Sequence, residues 1–279
     1  MADYEEILYD VDDPVATITL HRPEALNAWT ERMGAEVRHA VAQAEADPRV
    51  VGIVVTGAGR GFCAGADMKR LSSLTEGGDF GEVVPAELDA EPGDPAFGDD
   101  LRGGNLTYLL AVPKPVIAAI NGPVAGMGVP FALACDLRFM AEDAVLMTAF
   151  SQRGLIAEWG ISWLLPRLVG TAAALDLLFS SRKVTGAEAA ALGVVNAALP
   201  TDQVLAHAQE YVRTLAATSS PTSMAIMKRQ VYQQIHAGLL AAEHEARKLM
   251  VESFGRPDFA EGVQAFLERR PPSFGRLGS

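Results

Sequence analysis

Backbone amides, more than side chains, carry the chemistry that this 279-residue sequence suggests first. Two separate segments, Gly61-Phe62-Cys63-Ala64-Gly65-Ala66-Asp67-Met68 and Asn121-Gly122-Pro123-Val124-Ala125-Gly126-Met127-Gly128, are built from small residues. Such residues let main-chain N–H groups approach a ligand with no side chain in the way. Two turns of this kind, brought together, can aim two amide donors at one oxygen and hold an enolate or oxyanion there. One carboxylate, Glu158, lies in Gly154-Leu155-Ile156-Ala157-Glu158-Trp159-Gly160-Ile161. Apolar neighbours Ile156, Trp159 and Ile161 would desolvate it and raise its pKa, which suits a group that takes and returns a proton. Read locally, Glu158 instead favours the start of the helix running through Trp163 and Leu164.

Other groups are less informative. Thr56-Gly57-Ala58-Gly59-Arg60-Gly61 follows a strand but misses the dinucleotide spacing, because the third glycine of G-x-G-x-x-G would fall at Phe62. Cys63 has no base tied to it and reads as a small buried residue. Asp67 reads as a residue that steadies its turn. The five histidines are scattered without ligand spacing, so no metal is expected.

The elements that must position these groups alternate. Val50 to Thr56, Val116 to Ile120 and Leu137 to Met140 are strand-like apolar runs, and Ala16 to Leu20 is a shorter one. Thr30 to Glu45 places Met33, Val37 and Val41 four apart, the mark of an amphipathic helix. Strand and helix in alternation predict an α/β fold with largely parallel strands. After Leu199-Pro200 the pattern becomes helical, with stretches at Asp202 to Ala216, Pro221 to Gln234, Leu239 to Val251 and Pro257 to Arg270. The division expected is a core over 1–200 and a helical region over 201–279. Between Leu71 and Leu101 there are nine acidic residues and no Lys or Arg, which reads as a solvated, poorly ordered loop or a lid.

Hydrophobic content of 49% and charged content of 21% fit a globular protein with a sizeable core. A net charge of −12 argues against nucleic acid or an anionic membrane as the main partner. No apolar stretch approaches the roughly 20 residues needed to span a bilayer. The acidic N-terminus and two cysteines point to a reducing, cytoplasmic setting without a disulfide framework.

In wording and order the two motifs resemble the enoyl-CoA hydratase/isomerase, or crotonase, family. The resemblance runs from His21-Arg22-Pro23-Glu24-Ala25-Leu26-Asn27 through Lys114-Pro115-Val116-Ile117-Ala118-Ala119-Ile120, Cys135-Asp136-Leu137, Leu164-Leu165-Pro166-Arg167-Leu168-Val169-Gly170 and Ala187-Glu188-Ala189-Ala190-Ala191-Leu192-Gly193 to Glu261-Gly262-Val263-Gln264-Ala265-Phe266-Leu267. It implies a crotonase-like spiral core of ββα units with a C-terminal helical trimerisation region. It implies an acyl-CoA substrate, coenzyme A being part of that substrate and no separate cofactor being needed, and assembly as a homotrimer or a dimer of trimers. It assigns the oxyanion hole to the N–H groups of Ala66 and Met127, and substrate contacts to Arg22, Ala25, Leu26, Ala64, Asp67, Met68, Gly126 and Phe150. Phe266 and the Arg269-Arg270 pair would reach a phosphate or a neighbouring subunit.

The sequence also departs from the family pattern. The two glutamates with which family hydratases handle water are replaced by Pro130 and Phe150, and neither can move a proton. Glu158 stands where the working acid sits in some relatives, including enoyl-CoA isomerases. The expected activity is therefore double-bond isomerisation of an enoyl-CoA with Glu158 as single acid/base. Hydration, hydrolysis, dehalogenation or decarboxylation of a CoA thioester, a catalytically silent acyl-CoA binder and an assembly module are the alternatives.

Overall fold

The computed structural model describes residues 3–67, 72 and 85–278. Its main sheet has six strands in the order β1-β2-β3-β4-β6-β9. These are Ile7–Asp12 (β1), Val15–Leu20 (β2), Gly52–Gly57 (β3), Val116–Ile120 (β4), Leu137–Ala141 (β6) and Ala197–Leu199 (β9). β1 pairs antiparallel with β2, and every later pairing in this sheet is parallel. β3 and β4 are buried along their whole length, as continuous apolar runs in a parallel sheet must be. A smaller sheet joins Val124–Ala125 (β5), Val145–Met147 (β7) and Val184–Thr185 (β8). The fold is α/β, with the four expected strands near their expected places, and β1, β9 and the three strands of the smaller sheet added to them.

Helix Glu31–Ala46 (α1) begins where the Thr30 side chain accepts the Met33 N–H, and buries Met33, Val37, Ala40, Val41 and Ala44. Its Glu36 is fully buried and accepts the N–H groups of Glu5, Glu6 and Ile7 at 2.9, 2.8 and 3.1 Å, as well as Arg32 Nε at 2.9 Å. One carboxylate thus pins the start of β1 to the helix. Glu36→Ala strands three amide donors and is expected to cost about 3–5 kcal/mol. A urea midpoint close to wild type would contradict that. At the other end of α1, Lys114 Nζ donates to the carbonyls of Ala44 (2.9 Å) and Asp47 (2.7 Å). Burial pushes its pKa down to about 8, and the residue serves as a C-terminal cap.

The segment read as a poorly ordered acidic loop is ordered over 85–101. Leu88, Phe97 and Leu101 are buried, and Gly93 N–H donates to Glu45 Oε2 at 2.7 Å. Three apolar anchors outweigh the acidic composition there, because each one buried is worth about 1.5–3 kcal/mol. A single helical turn, Asp99–Arg102 (α2), closes it. Of the lid expected over 71–101, the part over 71–84 lies outside the described residues, apart from Ser72.

Helices Gly128–Ala134 (α3), Ile161–Val169 (α4), Thr171–Ser180 (α5) and Gly186–Leu192 (α6) complete the region around the sheets. Val204–Thr218 (α7) then buries Val204, Ala208 and Val212 against strands of the main sheet. Pro221–Gln234 (α8), Leu239–Phe254 (α9) and Pro257–Glu268 (α10) follow. α8 is tied to the core by Lys228, which donates to Asp136 Oδ2 at 2.7 Å, and by Tyr232, which donates to Oδ1 at 3.0 Å. Among the described residues no helix is long and apolar enough to cross a membrane.

Candidate active site

Because β3 and β4 are parallel neighbours, the turns that follow them emerge at the same sheet edge. Two asparagine side chains shape the first turn. Buried Asn27 donates to the carbonyls of Ala58 and Gly61 (3.0 and 2.8 Å), and Asn121 donates to those of Gly57 and Gly59 (2.9 and 3.1 Å). The turns are then laced together. Cys63 N–H donates to Pro123 O (3.3 Å), and Ala125 N–H donates to Cys63 O (2.9 Å).

Gly65 and Gly126 lie where the two turns touch. Their φ angles are +101° and +48°, and a Cβ on Gly65 would stand 3.1 Å from Ala125 O and 3.5 Å from Gly126 Cα. Only glycine lets two main chains touch in this conformation. Ala66 and Met127 are the residues immediately after that contact. Trp29 N–H donates to Gly65 O (2.7 Å) and Asp67 N–H to Trp29 O (3.0 Å). In an extended segment successive residues turn their N–H groups to opposite sides, so the N–H of Ala66 points away from Trp29. Among the described residues, neither Ala66 nor Met127 gives its N–H to a backbone acceptor. Two adjacent, unspent amides are the raw material of an oxyanion hole.

A cavity of about 360 Å³ opens beside Met127, lined by Trp29, Leu88, Leu106 and Trp159 together with the polar Glu31, Arg38, Asp89 and Asn105, and Ala66 is not part of its lining. It therefore touches the second motif, the partner of the first motif and the residue next to Glu158. Two larger grooves, about 720 and 620 Å³, lie between the C-terminal helices and hold no residue of the two glycine-rich motifs, the second being lined in part by Gly262, Val263, Phe266 and Leu267 of the tail.

Glu158 is half-buried and its carboxylate has no hydrogen bond or ion pair among the described residues. It does not cap a helix. Gly160 precedes α4, no side chain caps that helix, and Glu158 contributes only its carbonyl, to Ile161 N–H at 3.1 Å. The apolar enclosure expected around it is incomplete. Ile161 is buried and Trp159 packs on the core, but Ile156 is 77% exposed. Glu158 is not among the residues lining the cavity.

The entry loop is zipped to the first motif, with Ala64 N–H donating to Leu26 O at 3.0 Å. Arg22 bonds Asp67 (2.9 Å), the carbonyl of Ala28 (2.7 Å) and Glu6 (3.3 Å). Arg22, Ala25, Leu26, Ala64, Asp67 and Gly126 are thus brought to one edge with Ala66 and Met127. The charges of Arg22 and Asp67 are spent on each other, holding the turn. Phe150 is buried and does not line the cavity, while Met68 lies outside the described residues. Trp29 and Leu88 line the cavity without having stood out in the sequence. Trp29 follows the quoted entry loop by two residues, and Leu88 sits in the segment whose composition suggested a loop. Arg270, expected to reach a phosphate or a second subunit, is held by Glu261 (2.6 and 2.9 Å) and Glu268 (2.6 Å).

Residues 10–276 match the family model for enoyl-CoA hydratase/isomerase. The chain belongs to the enoyl-CoA hydratase/isomerase family. A probable enoyl-CoA hydratase of Rhodobacter capsulatus is 36% identical over 275 residues, covering 97% of this chain and 98% of the relative. The 1,2-epoxyphenylacetyl-CoA isomerase of Escherichia coli K12 is 33% identical over 273 residues, with the same coverage of 97% and 98%. The crystal structure of a probable enoyl-CoA hydratase/isomerase from Mycobacterium abscessus superposes with a TM-score of 0.81 at 30% identity, covering 97% of this chain and 98% of that one. The fold is thus that of the crotonases, and the chain is an enzyme of the hydratase/isomerase family acting on acyl-CoA. Its cysteines take no part as nucleophiles. Cys63 and Cys135 are buried, and burial pushes both thiols up to about 12. At pH 8 a disulfide reagent is expected to label neither in the folded protein and both in denaturant. Rapid native labelling would overturn this.

Proposed function

We propose that the enzyme moves a double bond within an enoyl-CoA, from the β,γ to the conjugated α,β position, using Glu158 as its only proton carrier. The thioester oxygen accepts hydrogen bonds from the N–H groups of Ala66 and Met127. Glu158 removes a proton from the α carbon, the electrons spread over the dienolate, and the same carboxyl returns the proton at the γ carbon. Each amide donor is worth about 3–4 kcal/mol of transition-state stabilisation. The observation that carries the reading is the Gly65–Gly126 contact, after which the amides of Ala66 and Met127 have no backbone acceptor among the described residues, with Met127 lining a cavity. Pro130 and Phe150, both buried, leave a two-glutamate hydration without its groups.

Hydration is the second reading, favoured by the relative named a probable enoyl-CoA hydratase. The two separate cleanly. Incubated with trans-3-hexenoyl-CoA, an isomerase accumulates the conjugated thioester, followed by its ultraviolet absorbance. A hydratase consumes trans-2-hexenoyl-CoA to the 3-hydroxy ester, and that outcome would displace the isomerase reading.

The same reading includes a homotrimer or a dimer of trimers in the cytoplasm. Exposed Met227, Val231, Leu239, Leu240, Val251 and Phe266 on or beside the C-terminal helices support burial against other copies. Sedimentation as a monomer would end that part.

A further inference from the structure

We propose that Trp29 and Trp159 form a pair of aromatic walls that select acyl groups carrying a planar, aromatic ring. The proposal rests on the acyl-CoA reading above and names the acyl class for the same cavity.

Three local costs in the chain converge on the placement of these two indoles. Trp159 has φ +56°, a left-handed conformation that a bulky residue seldom adopts. Backbone strain of this kind persists only where the surroundings over-determine it, and it marks sites where a side chain must be aimed. Here the next residue supplies the constraint. Gly160 has φ +80°, and a Cβ there would lie 3.0 Å from the Thr107 methyl. The loop is therefore pressed against the turn Thr107–Ala111, which leaves no room for a side chain at position 160. The side chain of Trp159 is left packed partly on the core and lining the cavity.

Trp29 is placed at a similar cost. Gly34 sits inside α1, where glycine weakens a helix. A Cβ at that position would stand 3.1 Å from Trp29 Nε1 and 3.4 Å from Cζ2, so the glycine makes room for the indole. Behind it Phe131 packs at 4.7 Å between ring centroids, and Phe62 stacks on Phe131 at 6.3 Å. Trp29 is thus held rigidly, only 7% exposed, and what remains uncovered of it lines the cavity. Both indoles line the cavity that also includes Met127, whose N–H is assigned to the thioester oxygen. An acyl group held there would meet both indoles and the apolar side chains of Leu88 and Leu106, in a cavity whose lining also includes Glu31, Arg38, Asp89 and Asn105. Aromatic surfaces of this kind reward a ring stacked or set edge-on more than an aliphatic group of equal size. A saturated chain would gain the burial alone.

The test uses the full-length protein and three CoA thioesters without a carbon–carbon double bond in conjugation with the carbonyl: phenylacetyl-CoA, cyclohexylacetyl-CoA and hexanoyl-CoA, titrated by calorimetry. The phenyl ester is expected to bind about 2- to 10-fold more tightly than its cyclohexyl counterpart. Trp159→Leu should bring that ratio to about one, while Trp159→Phe, which keeps a ring, should retain much of it. Equal binding of the phenyl and cyclohexyl esters to the wild type overturns the aromatic selection and leaves the acyl-CoA reading standing. So does a preference that survives Trp159→Leu unchanged. Failure of all three esters to bind removes the acyl-CoA reading and this proposal with it. The wild-type comparison decides even if Trp159→Leu does not fold.

Discussion

Gly128→Ala is expected to cut turnover of an enoyl-CoA by about two orders of magnitude, for a change of one methyl group. That methyl would stand 2.7 Å from Cys63 O, 2.8 Å from Cys63 Cβ and 3.0 Å from its Sγ. All three atoms belong to the first motif, and one is a backbone carbonyl already fixed by the Ala125 N–H. The contact is relieved only by moving the start of α3 away from that motif. Met127 is the residue ahead of α3, so its N–H moves with it. A misplacement of about 1 Å in a catalytic group costs about 100-fold. Overpacking of this kind also lowers stability, by about 1–3 kcal/mol. The proper control is Gly275→Ala, because nothing stands within 4 Å of a Cβ there. Binding of a CoA thioester should fall less than kcat, since the hole acts most strongly once charge has gathered on the oxygen. A Gly128→Ala enzyme with wild-type kcat would show that the two turns need not be in register.

Much of this arrangement could be read from residues whose role is local. Val50 to Thr56 and Val116 to Ile120 are apolar throughout, and only buried strands of a parallel sheet use such runs. Thr30 announces α1 because its hydroxyl can satisfy a free N–H at the helix start. The small residues of both motifs mark backbones that something must approach. What escaped depends on distant partners. β5 and β8 have two residues each and form only because other strands lie beside them. β1, Ile7-Leu8-Tyr9-Asp10-Val11-Asp12, alternates between a buried and an exposed face, and Glu36, far along the chain, fixes its start. Leu88, Phe97 and Leu101 lack any period, so their acidic surroundings dominated the reading of that stretch.

The site divides along the same line. That Gly65 and Gly126 must be glycine is a property of each turn, whereas their contact belongs to the assembled sheet edge. Glu158 was singled out by the family resemblance, and only the apolar character of its neighbours was legible locally. The exposure of Ile156 was not, because a hydrophobic residue in a short loop gives no sign of the direction in which it points. Trp159 stood out as a neighbour of Glu158, and its strained φ, which aims it at the cavity, is a consequence of the fold.

Glu158→Gln is expected to lower kcat by about 10²- to 10⁴-fold, the usual contribution of a positioned proton-transfer group. The amide keeps the size and shape of the carboxylate but cannot accept a proton from carbon. Stability should change by no more than about 0.5 kcal/mol, because the side chain is half-buried and has no hydrogen bond or ion pair among the described residues. Thioester affinity should also stay near wild type, since the glutamine keeps the shape of the side chain and the amide pair that holds the carbonyl is untouched. Proton exchange separates this variant from Gly128→Ala. In deuterium oxide the wild type should exchange the α proton of an unsaturated thioester as it isomerises. Gly128→Ala retains the base and loses stabilisation of the enolate, so exchange and isomerisation should slow together. Glu158→Gln retains the amide pair but has no group to carry the proton, so exchange should cease while the ester still binds. Exchange at the wild-type rate in Glu158→Gln would place the base elsewhere in the site and leave the amide pair as the part of the mechanism still standing.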